Sequence, residues 1–169
     1  MGYRDELVNE GRRIEEDSLW SAKGHFCSSE IQKWLHLSLG IPAVAAMTVV
    51  ALVSCDMAQG ALVTFFAVIG AVLSGLLTFL NPKKEGQRHL RAGNEYKALK
   101  DKARIFCNLE APYAEEGGLK AQLDQMSAER DRLNLESPNI LRPAYWLARR
   151  GIVAGQANYQ VDKKTPEKG

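Results

Sequence analysis

Two long uncharged stretches constrain the fold of this chain more than any other feature. No Asp, Glu, Lys or Arg occurs in residues 34–55 or in residues 57–82, and Asp56 alone separates the two stretches. A bilayer core about 30 Å thick is crossed by roughly 20 helical residues, and each stretch reaches that length. The sequence therefore predicts two transmembrane helices, at residues 35–55 and 61–80.

Charge in the flanks predicts how this hairpin is oriented. The loop at residues 56–60 contains no Lys or Arg, whereas both flanks are rich in them, so the positive-inside rule places both termini in the cytoplasm. A buried hairpin in a water-soluble protein is the alternative, but such helices normally carry a charged edge. The expected fold is all-α, with an amphipathic cytoplasmic helix before the hairpin, a helical or coiled-coil cytoplasmic region after it and a flexible tail, at residues 1–34, 81–160 and 161–169 respectively.

The second apolar stretch has a small, partly hydroxylated face. Its residues follow one another at spacings of three and four, which aligns them on one side of a helix. They are Thr64, Ala67, Ala71, Ser74 and Thr78. Small residues allow helix backbones to approach closely, and the same hydroxyl groups could instead line a water-filled pore. Because two helices cannot enclose a pore, the second interpretation requires a homo-oligomer.

Further helices are predicted after Asn81-Pro82, which ends the second apolar helix because a residue before proline is biased away from helical geometry. A new helix is expected to begin near Glu85. The turn-rich stretch from Glu110 to Gly118 is expected to break helicity before the next helix, through Pro112 and the Gly117-Gly118 pair. Both helices show heptad-like apolar seams, which two helices of one chain or of neighbouring subunits would bury. The seam residues are Tyr96, Leu99, Ala103, Phe106, Leu119, Leu123 and Met126.

Basic residues continue along the helix that follows the hairpin. Attraction to anionic lipid explains Lys83 and Lys84, but positive charge extends beyond the reach of that field. Either the charges form a solvated face, or they bind a nucleotide or oligonucleotide, with Arg gripping phosphates and aromatic rings stacking on bases. The residues predicted to bind such a ligand are Arg88, Arg91, Lys97, Lys100, Arg104, Tyr145, Arg149 and Arg150.

Motifs for catalysis are not found in the sequence. It has no Gly-rich phosphate loop and no nucleophile or zinc-protease motif, so we expect no enzyme activity and no cofactor. Cys27, Cys55 and Cys107 are widely spaced, and the three histidines have no convincing co-ligand. We therefore expect no disulfide framework and no metal site.

Short strings around the hairpin resemble the SLATT domain, a two-helix membrane module of bacterial conflict systems. The resemblance spans almost the whole chain and rests on the order of these strings. They are SAKGHF at 21–26, LNPKK at 80–84, RAGNEY at 91–96, RDRLN at 130–134, Ser137-Pro138 and Ala144-Tyr145.

Membership of that family would imply a pore-forming or membrane-depolarising effector of antiphage defence in the bacterial inner membrane. Its expected partners are the lipid bilayer, further copies of itself, with a tetramer favoured, and a nucleotide second messenger or short single-stranded oligonucleotide made by a neighbouring nucleotidyltransferase. From the residues alone, a non-conducting anchor remains the main alternative. That anchor would recruit a protein partner through its coiled-coil seam; a regulatory subunit of a transporter is a third, weaker option.

Overall fold

The computed structural model describes residues 2–54 and 60–156, which form helices joined by short turns. Neither strand nor sheet occurs in these two ranges, which confirms the all-α prediction for them. Most of the predicted 56–60 loop, Cys55 and the predicted tail lie outside the described residues. The helices are α1 (Tyr3–Val53), α2 (Gly60–Leu80), α3 (Pro82–Ile105) with a π-helical turn at Phe106–Glu110, α4 (Glu116–Glu136) and α5 (Arg142–Val153).

The junction between α2 and α3 is built by Asn81. α2 ends at Leu80, as predicted, and Asn81 adopts a positive φ of 41°. Its carbonyl accepts the backbone N–H groups of Lys84 and Glu85 at 3.0 and 3.2 Å. α3 therefore begins at Pro82 rather than near Glu85, because proline at the first helical position has no N–H to leave unsatisfied.

The chain divides into two compact units. The hairpin unit comprises Ser28–Leu90. The bundle unit comprises Met1–Cys27 together with Arg91–Gly169, of which residues 2–27 and 91–156 are described.

One continuous core holds the bundle unit together. All seven residues of the predicted seam are buried in it, packed with Leu7 and Ile14 of α1. The sequence left open whether neighbouring subunits bury the seam; in the structure the seam closes within one chain. These residues therefore form the core of the bundle unit within one chain.

The second helix of this core, α4, contains Gly117 and Gly118 in its first turn. The prediction that this pair breaks helicity was wrong. The interruption lies earlier, in a turn where the Tyr113 and Ala114 N–H groups bond to the Glu110 carbonyl. Pro112 in that turn has no N–H to continue a helix.

Small residues let α1 and α2 approach closely in the hairpin unit. Ala43, Ala46 and Gly70 are buried, and a Cβ built on Gly70 would lie 2.8 Å from the sulfur of Met47. Most of the remaining apolar surface is exposed. Only 11% of the most apolar window of α1 and 6% of that of the helix starting at Gly60 are buried, and both are long and apolar enough to cross a membrane.

Candidate functional site

The small face of α2 borders its packing contact with α1. Thr64, Ala71, Ser74 and Thr78 are exposed and Ala67 is partly buried, whereas the contact centres on Gly70. Ala67 and Ser74 lie three and four residues from Gly70, on the same side of the helix, whereas Thr64, Ala71 and Thr78 are exposed beside the contact.

Hydroxyl groups on this face are satisfied within the helix. Thr64 Oγ1 donates to the Gly60 carbonyl and Thr78 Oγ1 to the Ser74 carbonyl, both at 2.9 Å. Such bonds, to the carbonyl four residues earlier, let a threonine face an apolar environment without an unpaired donor. The same hydroxyl oxygens keep acceptor capacity for water.

An apolar groove of about 880 Å³ runs between α1 and α2. Ile41, Val44 and Leu52 of α1 line it, and Ser74 of the small face lies at its border. Few polar groups face this groove, and Thr48 Oγ1 donates to the carbonyl of Val44 on its own helix. The groove and the small face thus lie side by side on the hairpin unit.

A second, smaller cleft lies where α1 approaches α3 within the hairpin unit. It has a volume of about 220 Å³ and is lined in part by Ser29, Lys33, Lys83 and Gln87. Gly86 allows the close approach, because a Cβ there would lie 3.3 Å from Cβ of Gln32. Basic clefts at the ends of membrane helices suit anionic lipid headgroups.

Some of the predicted nucleotide-binding residues form ion pairs with nearby acidic residues, and others are exposed on the surface. In the hairpin unit, Arg88 pairs with Glu85 at 3.2 Å; in the bundle unit, Arg91 pairs with Glu95 at 2.9 Å. Lys100 is mostly buried and lies 3.4 Å from Asp101.

The other predicted ligand residues differ in exposure. Lys97 on α3 and the Arg149-Arg150 pair on α5 are exposed, and Arg104 is partly buried. Tyr145, also on α5, stacks on Trp20 with ring centroids 6.3 Å apart. Lys97, Arg149 and Arg150 are thus the exposed predicted cations outside the ion pairs described above.

A polar slot in the bundle unit was not predicted. Its volume is about 350 Å³, and α1, α3 and α4 all contribute to its walls. The residues that line it, and that define the name polar slot, are Asp17, Trp20, Ser21, Tyr96, Arg130 and Asn134. Heptad position identified Tyr96 only as a seam residue, and the other five carried no site prediction.

Hydrogen bonding orders one wall of the polar slot. Tyr96 Oη donates to Asn134 Oδ1 at 2.7 Å, so the amide nitrogen of Asn134 is left as a donor. Burial raises the pKa of Tyr96, partly opposed by a hydrogen bond with Ser137, so the phenol stays protonated at neutral pH.

A loose charge pair forms another wall. Arg130 Nη1 lies 3.9 Å from Asp17 Oδ2, which is an ion pair but too long for a hydrogen bond. Arg130 Nη2 lies 3.5 Å from Asp131 Oδ1, at the limit of hydrogen bonding. Both the guanidinium and the Asp17 carboxylate therefore keep hydrogen-bonding capacity for a third group.

Three of the strings that carry the SLATT resemblance meet around this slot. The rings of His25 and Tyr96 stack with centroids 5.5 Å apart, and a Cβ built on Gly93 would lie 2.8 Å from the ring of Phe26. Ser21, Tyr96, Arg130 and Asn134 come from three of the strings and line the slot itself. The signal that could have found the slot was this set of strings, although nothing local shows that they meet.

Comparison of the chain with protein-family models, with curated proteins and with solved structures gave no match. The function proposed for the chain therefore depends on the residues and geometry described above.

Proposed function

We propose that this chain is a homo-oligomeric, pore-forming or membrane-depolarising effector of the SLATT kind, active in bacterial antiphage defence. α1 and α2 span the inner membrane with both termini in the cytoplasm. A nucleotide or oligonucleotide, made by a neighbouring nucleotidyltransferase, binds the cytoplasmic helices and gates the pore.

The observation that carries the membrane part of this proposal is exposed apolar surface. A water-soluble protein rarely leaves a large contiguous apolar patch on its surface, yet Ile41, Val44, Phe65 and Phe79 are all more than half exposed. Lipid removes the cost of that exposure. Trp34 is 67% exposed at the start of the apolar part of α1, where an indole suits the headgroup region.

The small face of α2 supports the pore. Its residues Thr64, Ala71 and Thr78 are exposed beside the contact with α1, so they are open to another subunit or to an aqueous path between subunits. The hairpin of an adjacent copy could pack into the neighbouring apolar groove. A ring of hairpins, four in the favoured arrangement, would turn Thr64, Ser74 and Thr78 toward a common axis.

Two observations support gating by a nucleotide. The arginines of α5 are exposed, and three of the strings that resemble the SLATT domain contribute residues to the polar slot. Arg149 and Arg150 are exposed, on a helix that Tyr145 attaches to Trp20 of α1. Arginine forks of this kind suit phosphate groups.

The experiment is reconstitution into liposomes loaded with a fluorescent dye and an ionic gradient. Purified protein should collapse the gradient, and a candidate nucleotide should change the rate. Ser74→Leu and Thr78→Leu should slow ion flux at equal protein content, because each replaces a hydroxyl on the proposed pore wall with a bulky apolar group. Val72→Leu, on another exposed part of α2, is the matched control. Tight vesicles under every condition, with a monomer in detergent, would contradict the proposal.

Burial of the seam bears on the alternative of a non-conducting anchor. That hypothesis uses Leu99, Phe106 and Leu123 as the recruiting surface, but all three are buried in the core of the bundle unit. Substituting them should unfold the bundle unit and leave no intact surface whose partner could be tested. Recruitment, if it occurs, has to use the exposed faces of α4 or α5.

A further inference from the structure

The polar slot combines three kinds of group that recognise a flat heterocycle. Trp20 supplies an aromatic surface, the Asp17 carboxylate is an acceptor, and Arg130 is a donor fork. The Asn134 amide nitrogen is a further donor, because its oxygen is occupied by Tyr96. At about 350 Å³ the slot reaches the lower end of the roughly 300–1,000 Å³ that is typical of small-molecule sites.

We propose that the polar slot binds the base of a nucleotide, and that it prefers guanine. This inference rests on the proposed gating by a nucleotide or oligonucleotide and assigns the base of that signal to a site. The phosphates then lie outside the slot, within reach of the exposed cations of the bundle unit.

Charge decides between a base and a phosphate as the occupant. A phosphate in the slot would lie beside the Asp17 carboxylate, which is only 3.9 Å from Arg130 and would repel it. A neutral base meets no such repulsion. It can also replace the long Arg130–Asp17 contact with one hydrogen bond to each partner, so the two charges remain compensated.

The pattern of donors and acceptors decides among the bases. Guanine presents adjacent N1–H and N2–H donors, which match the two oxygens of a carboxylate such as Asp17. It also presents O6 and N7 acceptors, which match an arginine fork such as Arg130. Adenine has an acceptor at N1 where guanine has a donor, so its edge would place a lone pair against the Asp17 carboxylate. Stacking on Trp20 adds affinity for any base and so supplies no selectivity.

The test uses full-length protein in detergent with Trp34→Phe and Trp146→Phe, which leaves Trp20 as the only tryptophan. Both replaced residues are largely exposed, 67% and 77%, so the core is unaffected. GMP should quench Trp20 fluorescence by stacking and should bind about tenfold more tightly than AMP. Ribose 5-phosphate should neither quench nor compete. Equal binding of GMP, AMP and CMP, or competition by ribose 5-phosphate, would overturn the proposal.

Asp17 and Asp131 provide a matched pair of variants. Their side chains are 65% and 64% exposed and both contact the guanidinium of Arg130, but only Asp17 lines the slot. Asp17→Asn should remove the preference for GMP over AMP, whereas Asp131→Asn should keep it. The reverse result, or equal effects of both substitutions, would show that the slot does not read the base.

Failure of this inference can be told apart from failure of the proposed function. Nucleotide binding is measured in detergent and needs no pore, whereas ion flux without nucleotide needs no slot. Ion flux without binding of GMP would overturn the proposal that the polar slot binds a base, and it would leave the proposed channel function standing. Selective binding of GMP that depends on Asp17 supports the slot even if the vesicles stay tight.

Discussion

Individual glycines set how closely the helices of the bundle unit approach. A Cβ built on Gly11 of α1 would lie 2.8 Å from both the Phe106 ring and the sulfur of Cys107, which are buried. Real Cβ atoms do not come that close, so one of the helices would have to move. Gly117 of α4, by contrast, has no heavy atom within 4 Å of the same construction.

These surroundings predict opposite effects for two chemically identical substitutions. Gly11→Ala should lower the free energy of unfolding by about 1–3 kcal/mol, the usual cost of overpacking a core. Gly117→Ala should leave it unchanged or raise it by up to about 1 kcal/mol, because alanine loses less backbone entropy in a helix. Denaturant unfolding of both variants in detergent, followed by circular dichroism, checks this. Equal stability of the two variants would show that Gly11 is not at a close helix contact.

His89 of α3 is buried, and burial lowers its pKa from the ordinary value of 6.5, partly opposed by Glu85. The folded chain therefore keeps this imidazole neutral at a pH where the unfolded chain binds a proton. Linkage then lowers the stability as the pH falls through 6.5, while above that value the effect is absent. His89→Gln stays neutral and should lose part of the decrease in stability between about pH 7.5 and 5.5. Thermal unfolding across that range measures it, and an unchanged decrease in the variant would contradict the assignment.

Among the helices, α3 and α4 show that a seam can be recognised in the sequence, whereas the helix that packs against it is known only from the structure. Heptad spacing identified the apolar positions of both helices, but the N-terminal part of α1 completes the core, with Leu7 and Ile14 packed against the seam. The hydrophobic face of α1 is interrupted by charges, so its role in the core was not evident from its pattern. The core of the bundle unit is therefore built by α1, α3 with its π-helical turn, and α4.

Closure of the seam within one chain makes a quantitative prediction. Leu99 is completely buried, so Leu99→Ala should cost about 2–5 kcal/mol through lost burial and a residual cavity. Leu109→Ala, at a position 63% exposed in the π-helical turn, should change stability by less than about 0.5 kcal/mol. Because the contacts are within the chain, the loss at Leu99 should not depend on protein concentration. A loss that grows on dilution would instead show that the seam lies between subunits.

The whole molecule combines a unit with a core of its own and a hairpin whose apolar surface is mostly uncovered. Within residues 34–53 and 60–80, which cover the apolar parts of α1 and α2, the buried residues are the small Ala43, Ala46 and Gly70. Packing of this kind is typical of helices in lipid, where small residues let backbones meet and large apolar residues face outward.

This distribution predicts how the protein fractionates. After carbonate washing and ultracentrifugation of cell membranes, the chain should remain in the pellet and be released only by detergent. A change that places charge at an exposed apolar position of α2, such as Val72→Lys, should weaken insertion because a lysine near the bilayer centre costs about 2.5–3.5 kcal/mol. Wild-type protein in the carbonate supernatant would rule out lipid as the solvent of the hairpin.

Local pattern was enough to predict the helical fold, two apolar helices of membrane-spanning length, the end of α2 at Leu80 and the apolar seams. Uncharged runs, heptad spacing and the Asn81-Pro82 step act over a few residues, so they can be read without knowing what they contact. The beginning of α3 was misplaced by a few residues. The break before α4 lies within the predicted stretch and contains Pro112, but Gly117 and Gly118 belong to α4, since proline and glycine are both tolerated in a first turn.

Long-range packing was needed for the rest. Asp17, Tyr96 and Arg130 are far apart along the chain, and they line one slot because the contacts at Gly11 and Gly93 set the distance and rotation of α1 against α3. The same packing buried the seam inside one chain. Helix periodicity shows which side of a helix is apolar. Which other helix packs against that side depends on how well the side chains of the two helices fit together.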